Sequence, residues 1–383
     1  MNFQYKISLF VCFILVGLTS CKAKKQNGKV VSNDIIFQKI LDSIYHQNED
    51  CVGLMAHIEA PDKDISWNGA VGFSNKQTKS VLEKDQPVLI ASNTKTYVAV
   101  AILRLVEQDK IELDSNIENY ISPKSKRLLE SHGYQLKDIS VKHLLTHTSG
   151  IFDYAGSGDF FEFIKTQPNY RWTRDEQIQL AMSSGKPLGA PGDVFSYSDT
   201  NYLLSSEIIE TLTGQDFYTA IRELLNFEGL NLDATWFSTL EEYPKNIKPL
   251  AYQYSTEEGV HSYSLDHSFD LFGGGGLAAT TKDLAIFLYS VFNNKVFEKP
   301  NTLELLFTEV DTKQPKEWSY FLGISPVDFN DIKGFGHNGY WGTVVNHYPE
   351  LNATISVFVL ERDKRHLRVN VSRAYLEALK HLE

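Results

Sequence analysis

Leu89-Ile-Ala-Ser-Asn-Thr-Lys-Thr-Tyr-Val-Ala-Val-Ala-Ile-Leu-Arg-Leu-Val-Glu107 is the stretch around which the rest of the chain is organised. Val98, Ile102, Leu105 and Val106 recur at helical spacing, which predicts a helix with one buried stripe. Ser92 suits its opening, because a hydroxyl there can serve backbone N–H groups that have no partner in the first turn. Lys95 follows one turn later on the same face. A serine hydroxyl becomes a nucleophile only when a base takes its proton. A lysine buried beside it, with its pKa lowered, can be that base or can polarise the hydroxyl, and the helix dipole favours negative charge developing at Ser92. The plainer reading makes Ser92 a cap and Lys95 a solvated lysine. A second Ser-x-x-Lys, Ser183 to Lys186, ends in Gly185 and Pro187 and therefore closes a helix rather than opening one.

Working outward, residues 35–46 read as an amphipathic helix, and Val52–Glu59 and Ile65–Phe73 as a strand pair joined at Pro61. From about 110 to 245 the pattern is mainly helical. Thr173 to Glu176 forms a capping box, Asn201–Leu212 a helix closed by Gly214, and Thr280 starts another after Gly273–Gly276. Strand signals return at Tyr320–Ile324, Gly342–Tyr348 and Thr354–Leu360, before a last helix from about 367 to 382. Strands at both ends and helices between them predict an α+β fold of sandwich type. Its antiparallel sheet is built from N- and C-terminal strands, flanked by helices, with a mainly helical part inserted. The α/β part is expected over about 35–110 and 246–383, and the helical part over about 111–245.

The 383 residues, 42% hydrophobic and 22% charged, are ordinary globular material, and a net charge of −11 argues against nucleic acid as a partner. Lys6 followed by the apolar run Ile7–Leu18 is too short for a comfortable membrane span and reads as an export signal over residues 1–20. Leu18-Thr-Ser-Cys21 resembles a bacterial lipoprotein box, which implies a lipidated Cys21 and a polar tether over 21–34. The implied location is the cell envelope, tethered to a membrane. Only Cys51 then remains as a thiol, with no disulfide framework, and its apolar setting predicts a buried inert group.

Three further segments carry candidate chemistry. Tyr197, in Phe195-Ser-Tyr-Ser-Asp-Thr-Asn201, is either a packed loop tyrosine or a general base. His337-Asn338-Gly339 enters a late strand, where glycine permits close approach of a ligand. His143 and His147 are four apart, but no acid or third ligand stands near, so no metal or other cofactor is expected. Gly273–Gly276 lacks the Gly-Lys-Ser/Thr of a phosphate loop and reads as a turn. Phe160, Phe161, Phe163 and Trp172 read as core or as the wall of a cleft, and the loops at 152–172 and 245–270 as the seat of specificity.

Taken in order, Ile90-Ala-Ser-Asn-Thr-Lys-Thr96, Leu144-Leu-Thr-His-Thr-Ser-Gly150, Pro191–Tyr202, Gly273–Leu284 and Gly336-His-Asn-Gly339 resemble the β-lactamase and penicillin-binding-protein serine hydrolases. The nearest likeness is to the class C-like branch of D,D-peptidases, D-aminopeptidases and esterases. The resemblance spans about residues 50–362. It implies Ser92 as the acylated nucleophile, Lys95 as its activator and Tyr197 as general base or acid. Asp199, where many relatives carry Asn, joins His337, Asn338 and Gly339 in the substrate and proton network. The backbone N–H groups of Ser92 and Tyr340 are the implied oxyanion hole. His337 stands where class C β-lactamases have Lys, which favours a peptide, amide or small-ester substrate over antibiotics. The rival expectation is a non-catalytic envelope protein that binds peptidoglycan or a partner. Oligomeric state leaves no mark in the sequence.

Overall fold

The computed structural model describes residues 32–329 and 331–382. The leader 1–20, Cys21 and the tether up to residue 31 lie outside the described residues. The first helix, Asn33–His46, begins inside the stretch read as tether. Among the described residues no helix is long and apolar enough to cross a membrane.

The main sheet is antiparallel and six-stranded. Its order is Ile65–Gly72, Gly53–Ala60, Ala353–Val359, Thr343–Tyr348, Ile332–Asn338 and Ser325–Phe329. Both chain ends therefore supply it, and the central pairing sets Leu54 against Val359 and Ile58 against Ile355. Gly53–Ala60 and Ala353–Val359 are buried along their whole length, since helices cover both faces. One face packs Leu54, Ala56, Ile58 and Val357 against Phe37, Leu41, Tyr375 and Leu376 from the helices Asn33–His46 and Leu367–Lys380. The other face, through Met55, Val345 and Phe358, joins a larger core with the helices Thr94–Glu107 and Thr281–Phe292.

The inserted part holds Pro123–Ser131, Val141–Leu145, Gly158–Thr166, Arg174–Ser184, Asp199–Thr213 and Phe217–Leu224. The capping box at Thr173 and Glu176 is present, and Gly214, at φ 70°, ends Asp199–Thr213 in the left-handed conformation that glycine adopts freely. A three-stranded sheet, Val88–Leu89 with Leu277–Ala279 and Trp236–Phe237, adds pairing that composition did not signal.

Two expectations change. Tyr320–Ile324 is not a strand. Gly323 takes φ +72° and presses on helix Thr94–Glu107, where a Cβ would meet the Lys95 carbonyl oxygen at 2.8 Å. Thr96 donates to the Gly323 carbonyl at 2.7 Å, so this run kinks onto the helix instead of pairing. The α-helix also starts at Thr94, two residues later than expected. Ser92 sits in a 3-10 turn, Ala91–Asn93, and caps nothing.

Candidate active site

That 3-10 turn presents the serine. Val88–Leu89 pairs with Leu277–Ala279, Ile90 N–H bonds the Leu277 carbonyl, and Ala91 then turns at φ +46°, a conformation costly for a residue with a Cβ. Of residues 91–100, Ser92 alone is not buried. Asn93 fastens the turn by donating to the Ile90 carbonyl and to Thr343 Oγ1, both at 2.8 Å.

Lys95 is 0% exposed, and its ammonium donates to Ser92 Oγ at 3.0 Å and to the Gly274 carbonyl at 2.5 Å. Asp199 Oδ1 lies 2.5 Å from Nζ. Burial alone would lower the Lys95 pKa, but the charge of Asp199, with Tyr197 and Asp270 behind it, outweighs burial and raises it. The expected lowered lysine is thus replaced by a held ammonium, because the carboxylates arrive from distant segments that spacing does not reveal.

Tyr197 is aimed at the same point. The Ser196 and Ser198 N–H groups bond the His147 carbonyl and ring Nδ1, at 2.9 and 3.1 Å, and the Tyr197 ring packs 4.2 Å from the His147 ring. Its ring centroid is 4.9 Å from Lys95 Nζ and its hydroxyl faces Lys95 and Ser92. Burial pushes the phenol up to about 12, against the pull of the Lys95 charge. The serine, amine and phenol expected to converge do so.

His337 lies at the end of strand Ile332–Asn338 rather than at the entry to one. Its Nδ1 bonds the Asn338 carbonyl at 2.7 Å, so that nitrogen carries the hydrogen and Nε2 accepts from Tyr320 at 2.9 Å. Burial and then the Lys95 charge lower its pKa to about 3. A neutral imidazole with both nitrogens occupied stands at this wall. Asn338 points the other way, into a groove on the far face beside Arg368 and Ser372. Gly339 is packed so closely that a Cβ would meet the Ile90 carbonyl oxygen at 2.3 Å. The Tyr340 N–H has no hydrogen-bond partner among the described residues.

His143 and His147 do not share a helix face. His143 completes a capping box with Ser140, while His147 lies beyond the helix end at φ 56°. No group of three or more metal-ligating side chains occurs among the described residues. Cys51 is buried, and burial raises its thiol to about 12, as expected of an inert group.

Two carboxylates escaped the sequence. Asp153 Oδ1 accepts the Asp199 N–H at 2.9 Å, and Asp270 ends the 3-10 turn His267–Asp270. Both fall in the loops expected to hold specificity. Burial, then the Asp199 charge, pushes each up to about 7. The glycine run is a cradle as well as a turn: Gly274 supplies the carbonyl to Lys95, and a Cβ at Gly273 would meet the Tyr202 carbonyl oxygen at 2.8 Å.

A family model described as Beta-lactamase matches residues 48–380. A penicillin-binding protein of Bacillus subtilis (strain 168) is 21% identical over 341 residues, covering 85% of this chain and 71% of that one. A teichoic acid D-alanine hydrolase of Staphylococcus aureus is 25% identical over 301 residues, covering 76% and 66%. Among solved structures, a D-amino acid amidase from Ochrobactrum anthropi SV3 bound to D-phenylalanine superposes with a TM-score of 0.74 at 21% identity, over 91% of this chain and 99% of that one. At that identity the likeness is one of fold.

Proposed function

The chain belongs to the beta-lactamase family of serine hydrolases, and from that premise we propose that it cleaves a D-amino-acid amide, peptide or small ester through an acyl-enzyme at Ser92. The observation that carries this is the 3.0 Å contact between Lys95 Nζ and Ser92 Oγ, with the Tyr197 hydroxyl facing both. The name of the teichoic acid D-alanine hydrolase above supports the substrate class.

The charge state suggests how the proton moves. Lys95 begins as an ammonium pressed on Asp199 and Tyr197 begins as a phenol. As Ser92 attacks the carbonyl, Lys95 passes a proton to Asp199 Oδ1 and takes the one leaving Ser92. Nζ stays cationic throughout and Asp199 ends protonated. The leaving group then takes a proton from Tyr197, which is left as a phenolate. Water attacking the ester returns a proton to Tyr197, and Ser92 Oγ leaves with a proton from Lys95, which recovers its own from Asp199. The Ser92 and Tyr340 N–H groups stabilise the oxyanion. A scaffold used for binding alone has no need of this relay. The neutral His337, in the place of a lysine, speaks against efficient antibiotic hydrolysis.

A fluorophosphonate or fluorescent penicillin should label the protein, and Ser92→Ala should abolish labelling. Turnover of a D-Ala-D-Ala peptide, nitrocefin and a p-nitrophenyl ester would rank the substrates. Wild-type protein labelled by neither probe would sink the reading. We also infer, from Leu18 to Cys21, export to the envelope and lipid anchoring at Cys21. Cys21→Ser should move the protein from the membrane to the soluble fraction.

A further inference from the structure

The Asp270 carboxylate folds over Gly275, where a Cβ would come within 2.2 Å of its Oδ1. It lines a crevice with Ala91, Gly276 and Trp341, directly beside the Ser92 turn. No N–H or hydroxyl among the described residues donates to it, and the cation that it faces is Lys95. That ammonium is already engaged by Asp199, the Gly274 carbonyl and Ser92. Asp153 is engaged too, accepting from the N–H groups of Asp199 and Ala155. Asp270 is therefore the carboxylate of the three with neither a hydrogen bond nor a cation of its own. Keeping a half-buried carboxylate in that condition costs free energy, which a cationic ligand would recover.

The opposite wall has no corresponding offer for an anion. His337 has both nitrogens occupied. Arg362 is turned onto Glu258, at 3.0 Å, and onto the Tyr340 ring, 4.2 Å away. Arg368 donates to the Thr343 carbonyl at 2.8 Å and borders the far-face groove. Among the described residues a substrate carboxylate finds no free counter-ion beside Ser92, whereas a substrate ammonium does.

We propose that Asp270 anchors the free α-ammonium of a D-aminoacyl amide or ester, so that the site selects unacylated aminoacyl substrates over N-acylated or carboxylate-ended peptides. This rests on the serine hydrolase reading above. In such a substrate the ammonium nitrogen is two bonds from the acyl carbon, through the α-carbon, so its anchor must lie on the wall next to the nucleophile. Asp270 shares its crevice with Ala91, the residue before Ser92.

The test compares D-alanine p-nitroanilide with its N-acetyl derivative at pH 7, where the free α-amino group is mainly charged. Wild-type kcat/KM should favour the free amine by about tenfold or more, the value of one modest ion pair. Asp270→Asn should bring the ratio close to one, chiefly through KM on the free amine, and Asp270→Glu should keep part of the preference. Because a ratio is read, general loss of activity cancels, and the wild-type comparison needs no variant. A wild type that prefers the acetylated substrate, or a ratio unmoved by Asp270→Asn, overturns the proposal. So does fluorophosphonate labelling of Ser92 without turnover of either anilide, an outcome that leaves the hydrolase reading standing. Absence of labelling removes that reading instead.

Discussion

Asp199 Oδ1 lies 2.5 Å from Lys95 Nζ, and among the described residues no hydrogen-bond donor besides that ammonium reaches this oxygen. The pair is therefore a closed unit beneath Ser92. In it the carboxylate is both the largest cause holding Lys95 cationic and the acceptor that can free Nζ to take a proton. Asp199→Asn should do two separable things. Loss of the acceptor should lower the acylation rate by roughly a hundredfold, the low end for a general base. Loss of the charge should lower the Lys95 pKa, so labelling of the variant should rise with pH as a neutral Lys95 forms to act as base, a limb that the wild-type relay through a cationic Nζ does not need. The pH dependence of fluorophosphonate labelling reads both, and a profile of unchanged shape would show that Asp199 does not control Lys95.

The close fit of Gly339 on the Ser92 turn makes a second prediction. In Gly339→Ala the new methyl would meet Thr343 Oγ1 at 2.1 Å as well as the Ile90 carbonyl oxygen, and backbone cannot swing aside as a side-chain tip can. The strand end must retreat from Ser92, carrying the Tyr340 N–H with it. Stability should fall by about 2 kcal/mol, as for other overpacked sites. The rate constant kcat should fall about a hundredfold, the usual penalty of an ångström-scale misplacement. Thermal unfolding and kcat measured on one preparation check this, and full activity would mean that the turn and strand end are not held in fixed register.

Tyr340 itself is clamped from outside the crevice. Its hydroxyl donates to Glu258, whose other oxygen pairs with Arg362, and Arg362 covers the ring. Glu258 thus acts as a positioning residue for a backbone N–H that it does not touch. Glu258→Gln keeps the shape and removes the charge. It should lower kcat about tenfold, part of what a whole oxyanion donor is worth, while KM stays within about twofold. A change confined to KM would instead place Glu258 in contact with substrate.

How much of this was legible depends on how local each signal is. Ser92 and Lys95 could be read together because one helical turn sets their proximity, wherever the helix is assigned to begin. Strands at both ends were enough for the sheet, since each carries an apolar run bounded by turns. Tyr320–Ile324 has the same apolar look, yet Gly323 at φ +72° breaks it, and nothing in composition reveals a backbone angle. Asp199 and Asp270 lie 104 and 175 residues from Lys95 in sequence, with no shared period, so only the assembled fold brings their charge to it. That is why the lysine was expected lowered and is instead raised.

The final prediction concerns stability, where Asp270 and the buried histidines pull in opposite directions. Burial and Asp199 raise Asp270 to about 7, so between the ordinary carboxylate range and pH 7 the native state holds a proton that the unfolded chain has lost. The contribution of Asp270 is therefore fully present in acid and lost as pH rises through about 7. Burial lowers His347 to about 4, and burial with the Lys95 charge lowers His337 to about 3. These imidazoles act in the reverse sense: the unfolded chain binds protons that the native state refuses, so stability drops as pH falls below about 6.5. Asp270→Asn removes only the first effect. The variant should be more stable than wild type at pH 8, by on the order of 1 kcal/mol, with the gain shrinking toward pH 5, where wild-type Asp270 is already protonated. Both proteins should still lose stability in acid, from the histidines. Thermal unfolding at pH 5 and pH 8 decides it: an equal gain at both values would mean that Asp270 is not held protonated by its surroundings, and a loss at pH 8 would mean that Lys95 compensates its charge after all.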